Sequence, residues 1–165
     1  MRRIERLLAE IRCVIDHKHV LEVACGCGEF SLVAAAFADQ VDCIDLDEKR
    51  LLPEAKKNER IRFQIMDAQS MAFSSETFDT IVIYNAIGHL RGIVSRILKE
   101  CMRVTKYDGT IYVISSFKMD RLTIEAELIP CLESLNIPFE SEADPIYHRV
   151  KIRKLRGWQI QEDGK

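Results

Sequence analysis

A chain of 165 residues, 47% of them hydrophobic, can bury one full core but is too short for two ordinary domains, so residues 1–165 are expected to fold as a single domain. Its 24 Lys and Arg nearly balance 26 Asp and Glu, which excludes an overall basic field able to gather nucleic acid. Charges scattered through "MRRIERLLAEIRCVIDHKHV" deny that segment the unbroken apolar run of a signal peptide or membrane span, and a cytoplasmic protein not held in a membrane is expected. Without an export signal, the six cysteines (Cys13, Cys25, Cys27, Cys43, Cys101, Cys131) read as reduced thiols rather than a disulfide framework.

In chain order, Ile4, Leu7, Leu8, Ile11 and Ile15 recur at helical spacing, so residues 1–16 are predicted as an amphipathic helix. "HVLEVAC" reads as a short buried strand ending at glycines, and "FSLVAAAFA" as a helix with a small apolar face. The pair returns as a strand, "QVDCIDLD", and a helix, "EKRLLPEAKKN", broken or kinked near Pro53. Next come the strands "IRFQIMD" and "FDTIVIYNAI", then a helix in "IVSRILKECMRV" with Ile97, Leu98, Cys101 and Met102 on one side. "YDG" is expected to turn the chain into the strand "TIYVISSF", and Pro130 to interrupt a helix in "DRLTIEAELIPCLESLN". "IPFESEAD" and "YHRVKIRKL" close the chain as a pair of strands joined through "DP".

Strands alternating with helices across short connections imply an α/β fold: a doubly wound, Rossmann-like, mostly parallel sheet with helices on both faces. Ligands bind such sheets beyond the carboxyl ends of the strands, so the residues ending each strand are the candidates. Gly26 and Gly28 let the main chain bend sharply after the first strand and let a ligand approach it. Asp45 ends the second strand, where a carboxylate accepts hydrogen bonds from both hydroxyls of a ribose, and Asp67 ends the third, suited to an adenine amino group. Singly, each aspartate reads equally as a cap or a solvated loop residue.

With these residues in order, the chain resembles a class I S-adenosylmethionine-dependent methyltransferase from Lys18 to Phe117. "EVACGCG" is similar to that family's first motif, acid-x-Gly-x-Gly-x-Gly, at Glu22, Gly26 and Gly28, with Ala24 replacing the first glycine. A methyl group is tolerated there as long as φ stays negative. "VDCIDLDEKRL" resembles the second motif at Asp45, the stretch through "IMDAQSM" the segment carrying Asp67, and "LKECMRVTKYDGTIYVI" the passage from the fourth helix to the fifth strand. The resemblance implies seven strands, the last antiparallel and inserted beside the fifth, and S-adenosyl-L-methionine as cofactor. It also implies that Glu22 takes the methionyl ammonium directly or through water, that Leu46 and Ala68 border the adenine, and that Ala24 is among the cofactor-binding residues, with Cys25 and Cys27 packing beside the cofactor as small apolar residues. Asn85 falls where the family contacts the methionine moiety, and His89 matches a histidine of small-molecule members that can remove a proton from an acceptor; alternatively His89 caps or packs against the next helix.

The acceptor implied is a small molecule, since the Asn/Asp-Pro-Pro-Tyr motif of many amino-group methyltransferases is missing. Short connections leave the acceptor side shallow, to be covered by the N-terminal helix, by a partner chain or second copy, or by a large acceptor. Arg149, Lys151 and Arg153 would line one face of a strand, touching phosphates of an RNA or, more commonly, guarding a sheet margin. Cys25-x-Cys27 lacks metal-site spacing with any second pair, and no metal is assigned. Other classes stay open: a cofactor-binding partner subunit without turnover, or a nicotinamide oxidoreductase whose fingerprint would run Gly26-x-Gly28-x-x-Ser31, lacking its third glycine.

Overall fold

A computed structural model describes residues 3–157. Its strands are β1 (His19–Val23), β2 (Gln40–Asp45), β3 (Ile61–Ile65), β4 (Phe78–Tyr84), β5 (Thr105–Ser115), β6 (Phe139–Ala143) and β7 (His148–Arg153). They form one sheet in the order β3-β2-β1-β4-β5-β7-β6. The first five pair in parallel, and β7 runs antiparallel between β5 and β6, as the resemblance implies. Strand order reverses between β1 and β4, so their carboxyl ends carry the chain to opposite faces and leave a crevice between them.

Both faces of the sheet are covered. Helix α1 (Arg3–Ile15) buries Ile4, Leu7, Leu8, Ile11 and Ile15, the residues its periodicity marks, in a core shared with α2 (Glu29–Ala34), α3 (Pro53–Lys57) and Phe30. The opposite core gathers Ile97, Leu98, Cys101 and Met102 of α4 (Val94–Val104) with Ile124 and Leu128 beyond α5 (Lys118–Thr123). Among the described residues, no helix is long and apolar enough to cross a membrane.

Three elements differ from expectation. Pro53 does not kink a helix but starts one: α3 begins at it, because proline's fixed φ and missing N–H suit the first helical position. The break near Pro130 comes a turn early, as a π-helical segment Ile124–Leu128 between α5 and α6 (Ile129–Ser134) that absorbs the misfit of the proline ring with the carbonyl four residues back. "YDG" is no turn before β5 but a bulge within it. Two residues along β4 (Phe78 to Thr80) oppose five along β5 (Thr105 to Thr110).

That bulge is clamped from β7's side. The N–H of Asp108 donates to Lys154 O, the N–H of Lys154 to Gly109 O, and Lys154 Nζ to Thr105 O at 2.7 Å. Two of the basic residues of β7 are likewise taken: Arg149 holds Asp144 at 2.7 Å and Glu10 at 3.0 Å, and Lys151 lies 3.5 Å from Glu140. Since β6 lies outside it, β7 is not a margin of the sheet, which corrects that reading of its charges.

Glycine at the bulge is sterically required. A Cβ on Gly109 would lie 2.7 Å from Thr105 Cγ2 and 2.8 Å from the carbonyl oxygens of Asp79 and Lys106. Gly109→Ala is therefore expected to cost about 1–3 kcal/mol of stability, read as a lower urea midpoint at unchanged slope.

Candidate active site

The chain leaves β1 through a bend with three residues in the left-handed region: Ala24 (φ 55°), Gly26 (φ 54°) and Gly28 (φ 75°). Gly28, which precedes α2, has no room for a side chain, since its Cβ would come within 2.9 Å of Leu51 Cδ1. A Cβ on Gly26 would meet only the Arg50 guanidinium, 3.8 Å away, so that peptide is open to the crevice. The expectation for Ala24 is corrected: its φ is positive. The bend needs the geometry of the replaced glycine, and the methyl group is carried at a steric cost.

Two carboxylates fasten the bend. Asp45 Oδ2 accepts the Gly26 N–H at 2.8 Å, and its Oδ1 accepts the Leu46 N–H at 2.8 Å. Glu22, 1% exposed, accepts the N–H and hydroxyl of Ser31 on Oε2, at 3.0 and 2.5 Å. Burial pushes its carboxyl up from 4.5 to about 8, against the opposing pull of the Ser31 hydrogen bonds. Ser31 occupies the place of the dinucleotide fingerprint's third glycine, and here its side chain is needed. The Cys25 thiol is pushed up by its hydrogen bond to Cys43 and by burial, so it stays neutral beside these acids.

The opposite wall comes from β4 and β5. Asn85 (φ 51°) ends β4 with its Oδ1 accepting the N–H and hydroxyl of Ser116, at 2.7 and 3.1 Å. A 3₁₀ turn, Ile87–Leu90, follows and carries an exposed His89. Asp120, 3% exposed, holds this turn: it accepts the Gly88 N–H at 2.9 Å and the Ser115 hydroxyl at 2.7 Å. A Cβ on Gly88 would run into that same carboxylate oxygen.

Between the walls lies a cavity of about 460 Å³, a size that suits a small molecule. Of the residues singled out by sequence, Glu22, Ala24, Cys25, Gly26 and Asp45 line one side, and Asn85 and His89 the other. The remaining four do not line it. Gly28 lies beneath the bend against Leu51. Leu46 is 71% exposed at the end of β2, Ala68 is buried, and Asp67 accepts the Gln69 N–H at 2.9 Å in a local turn past β3. Helix α1 contributes no lining residue among those described, so it does not close the cavity.

Sequence reasoning passed over Arg50, Tyr84 and Phe117, which also line the cavity, and Asp120, which positions the turn. Arg50 was legible as the fifth residue after Asp45; the others carry no local signal, because their place depends on β4 and β5 ending side by side.

Comparison with known proteins decides the family. Residues 21–113, more than half of the chain, match the family described as "Methyltransferase domain". The chain belongs to this methyltransferase family. Its cofactor is S-adenosylmethionine, and the oxidoreductase alternative is set aside. A demethylmenaquinone methyltransferase of Leptospira interrogans is 32% identical over 103 residues, covering 56% of this chain and 41% of that protein. The uncharacterized methyltransferase YcgJ of Bacillus subtilis is 25% identical over 160 residues, covering 93% of this chain and 58% of the relative. The chain thus spans about two fifths to three fifths of the length of these curated relatives. The fold is similar to that of a SAM-dependent methyltransferase from Aquifex aeolicus, with TM-score 0.77 and 17% identity over 93% of this chain and 90% of that one.

The cavity's chemistry fits the methyltransferase cofactor, which carries two cations, sulfonium and ammonium, and a ribose. Glu22, Glu29 and Asp45 line it, and the exposed peptide at Gly26 admits close approach.

Two predictions follow from this wall. Ala24→Gly removes left-handed strain and is expected to raise stability by up to about 1 kcal/mol in urea unfolding, part of the gain being offset by glycine's greater freedom when unfolded. Glu22, raised from 4.5 to about 8 on folding, favours the cofactor-free folded state fully below pH 4.5, a contribution lost as pH rises through 8. Urea midpoints taken across that window should fall with pH in the wild type, and Glu22→Gln should flatten the fall.

Proposed function

We propose that this chain catalyses methyl transfer from S-adenosylmethionine to a small-molecule acceptor. The observation that carries the reading is the meeting of Glu22, Asp45 and the Gly26 peptide with Asn85 and His89 around one cavity. The Leptospira relative, named for demethylmenaquinone, supports an acceptor that is neither protein nor nucleic acid.

When bound, the cofactor supplies a sulfonium methyl group that a nucleophile takes while the C–S electrons leave on sulfur. The residues then have holding and proton-moving work. Asp45 receives the ribose hydroxyls while still tying the bend. Glu22 ionises as the cationic methionyl end enters, its burial making the new charge strongly dependent on that partner. Asn85 keeps one oxygen on Ser116 and offers its amide N–H groups to the methionine moiety. Leu46, Asp67 and Ala68, outside the cavity proper, would hold the adenine end of the bound cofactor. His89 takes the proton that the acceptor loses.

Calorimetry with S-adenosylhomocysteine tests the cofactor site. Asp45→Ala is expected to weaken binding by about 1.5–3 kcal/mol, the loss of a charged hydrogen-bond acceptor. Unchanged affinity, or thermal stabilisation by NADH and not by S-adenosylhomocysteine, would bring the reading down.

A further inference from the structure

A second hollow, of about 500 Å³, opens beside the first and is lined by Gly88, His89, Phe117, Lys118, Met119 and Asp120. His89 and Phe117 line both hollows, so the two adjoin at those residues. Its surface is unusual for this chain. Phe117 and Met119 stand 58% and 57% exposed, and Leu122 one turn on is 48% exposed. Three large apolar side chains within six residues, two of them lining the hollow, are an exposed patch that water does not favour.

The charges around the patch narrow what can cover it. Asp120 is the one acid lining the hollow, and both its oxygens are engaged, by the Gly88 N–H and the Ser115 hydroxyl. Lys118 is exposed and has no carboxylate within ion-pair distance among the described residues. A cationic ligand would find no free carboxylate here and would meet the lysine. At the junction, His89 offers an imidazole with no hydrogen-bond partner among the described residues.

We propose that this hollow receives the acceptor, and that the acceptor is an apolar molecule, neutral or anionic, whose body lies on Phe117 and Met119 while its reacting group reaches His89. The inference rests on the methyltransferase reading for the word acceptor, and on the hollow alone for the chemistry of the ligand. Phe117 faces both compartments and so forms the wall along which an apolar body is guided to the methyl group. Lys118, at the rim, holds an acidic or hydroxyl substituent of the body pointing to solvent. A polar, cationic acceptor such as an amine is selected against by the same arrangement.

Two measurements test this. In the first, 8-anilinonaphthalene-1-sulfonate, an apolar anion, is titrated by fluorescence into the folded protein with and without S-adenosylhomocysteine. Saturable binding is expected, weakened at least fivefold in both Met119→Ser and Lys118→Glu and changed less than twofold in Leu155→Ser, an exposed apolar residue just past β7. Met119 and Lys118 are exposed, so these variants are expected to fold, with S-adenosylhomocysteine affinity as the check. In the second, methyl-labelled cofactor is incubated with the protein and a cell extract, the mixture is acidified, and transferred label is expected in the ethyl acetate phase, reduced in Met119→Ser. Equal dye affinity in wild type and both variants, or label transferred only to water-soluble metabolites, protein or nucleic acid, or not transferred at all, overturns the proposal. Loss of S-adenosylhomocysteine binding in the wild type would instead remove the cofactor site, leaving the dye titration without nucleoside to decide the hollow.

Discussion

The site depends on one constraint: the bend after β1 is held in shape by carboxylates from two neighbouring strands. Asp45 ties the end of β2 to the Gly26 peptide, and Glu22 ties β1 to the first turn of α2 at Ser31. The left-handed backbone is held partly from within, the Gly28 N–H donating to Cys25 O at 2.8 Å, and partly from outside, the Gly26 N–H donating to Asp45. Strands β1 and β2 lie in parallel register from His19 with Gln40 to Val23 with Ile44, which brings both acids to the same edge of the sheet. Removal of Asp45 would take the acceptor from the Gly26 N–H, and removal of Glu22 the acceptor from the Ser31 N–H and hydroxyl. The acids are therefore structural before any ligand arrives, and their readiness for cations is a by-product of what the bend requires.

The same constraint explains an apparent conflict in Glu22. A carboxyl wholly out of water resists ionisation, and burial outweighs the two Ser31 hydrogen bonds that favour its charge. Such a group would be a poor static anion. It is well suited to a ligand that brings its own positive charge, because the charge on Glu22 then forms together with its partner and neither stands alone in a low dielectric. Cys25, kept neutral next to it, adds no competing anion.

Much of the sheet could be read from the sequence because each strand announces itself twice, by an apolar run and by what ends it. Val20, Leu21 and Val23 stop at glycines; Val41, Cys43 and Ile44 stop at Asp45. The errors share a cause. A proline that ends a helix and one that starts it look alike without knowing which side is packed, and for Pro53 the buried side is Ala55 and Leu51 against Gly28. "YDG" has the chemistry of a hairpin turn, yet the pairing of β4 with β5 on either side and the clamp from Lys154 make it a bulge. Ala24 was misjudged because a φ value belongs to the bend as a whole, and the residue type there argues against it. Asp120 could not have been found: it looks like an ordinary first-turn acid of α5, and only the meeting of that helix with the Ile87–Leu90 turn gives it a role.

The two walls of the crevice differ in kind, and the difference bears on how a methyl transfer could be hastened. One wall, from β1 and β2, is polar, built of fixed carboxylates and a bare peptide. The other, from β4, β5 and α5, is apolar beyond Asn85 and His89. Transfer from a sulfonium asks for alignment more than for bond-making groups, and alignment of two bound reactants can supply about 7–11 kcal/mol of the barrier when the geometry is good. A polar wall fixes one reactant by charge and hydrogen bonds, which have direction. An apolar wall fixes the other largely by shape, so its aim depends on whatever is rigid at the seam. At that seam the rigid element is the 3₁₀ turn, pinned through Gly88 to a buried carboxylate that also grips the end of β5. Asp120 thus does for the turn after β4 what Asp45 does for the bend after β1: each takes a strand end and a bend, and makes one body of them.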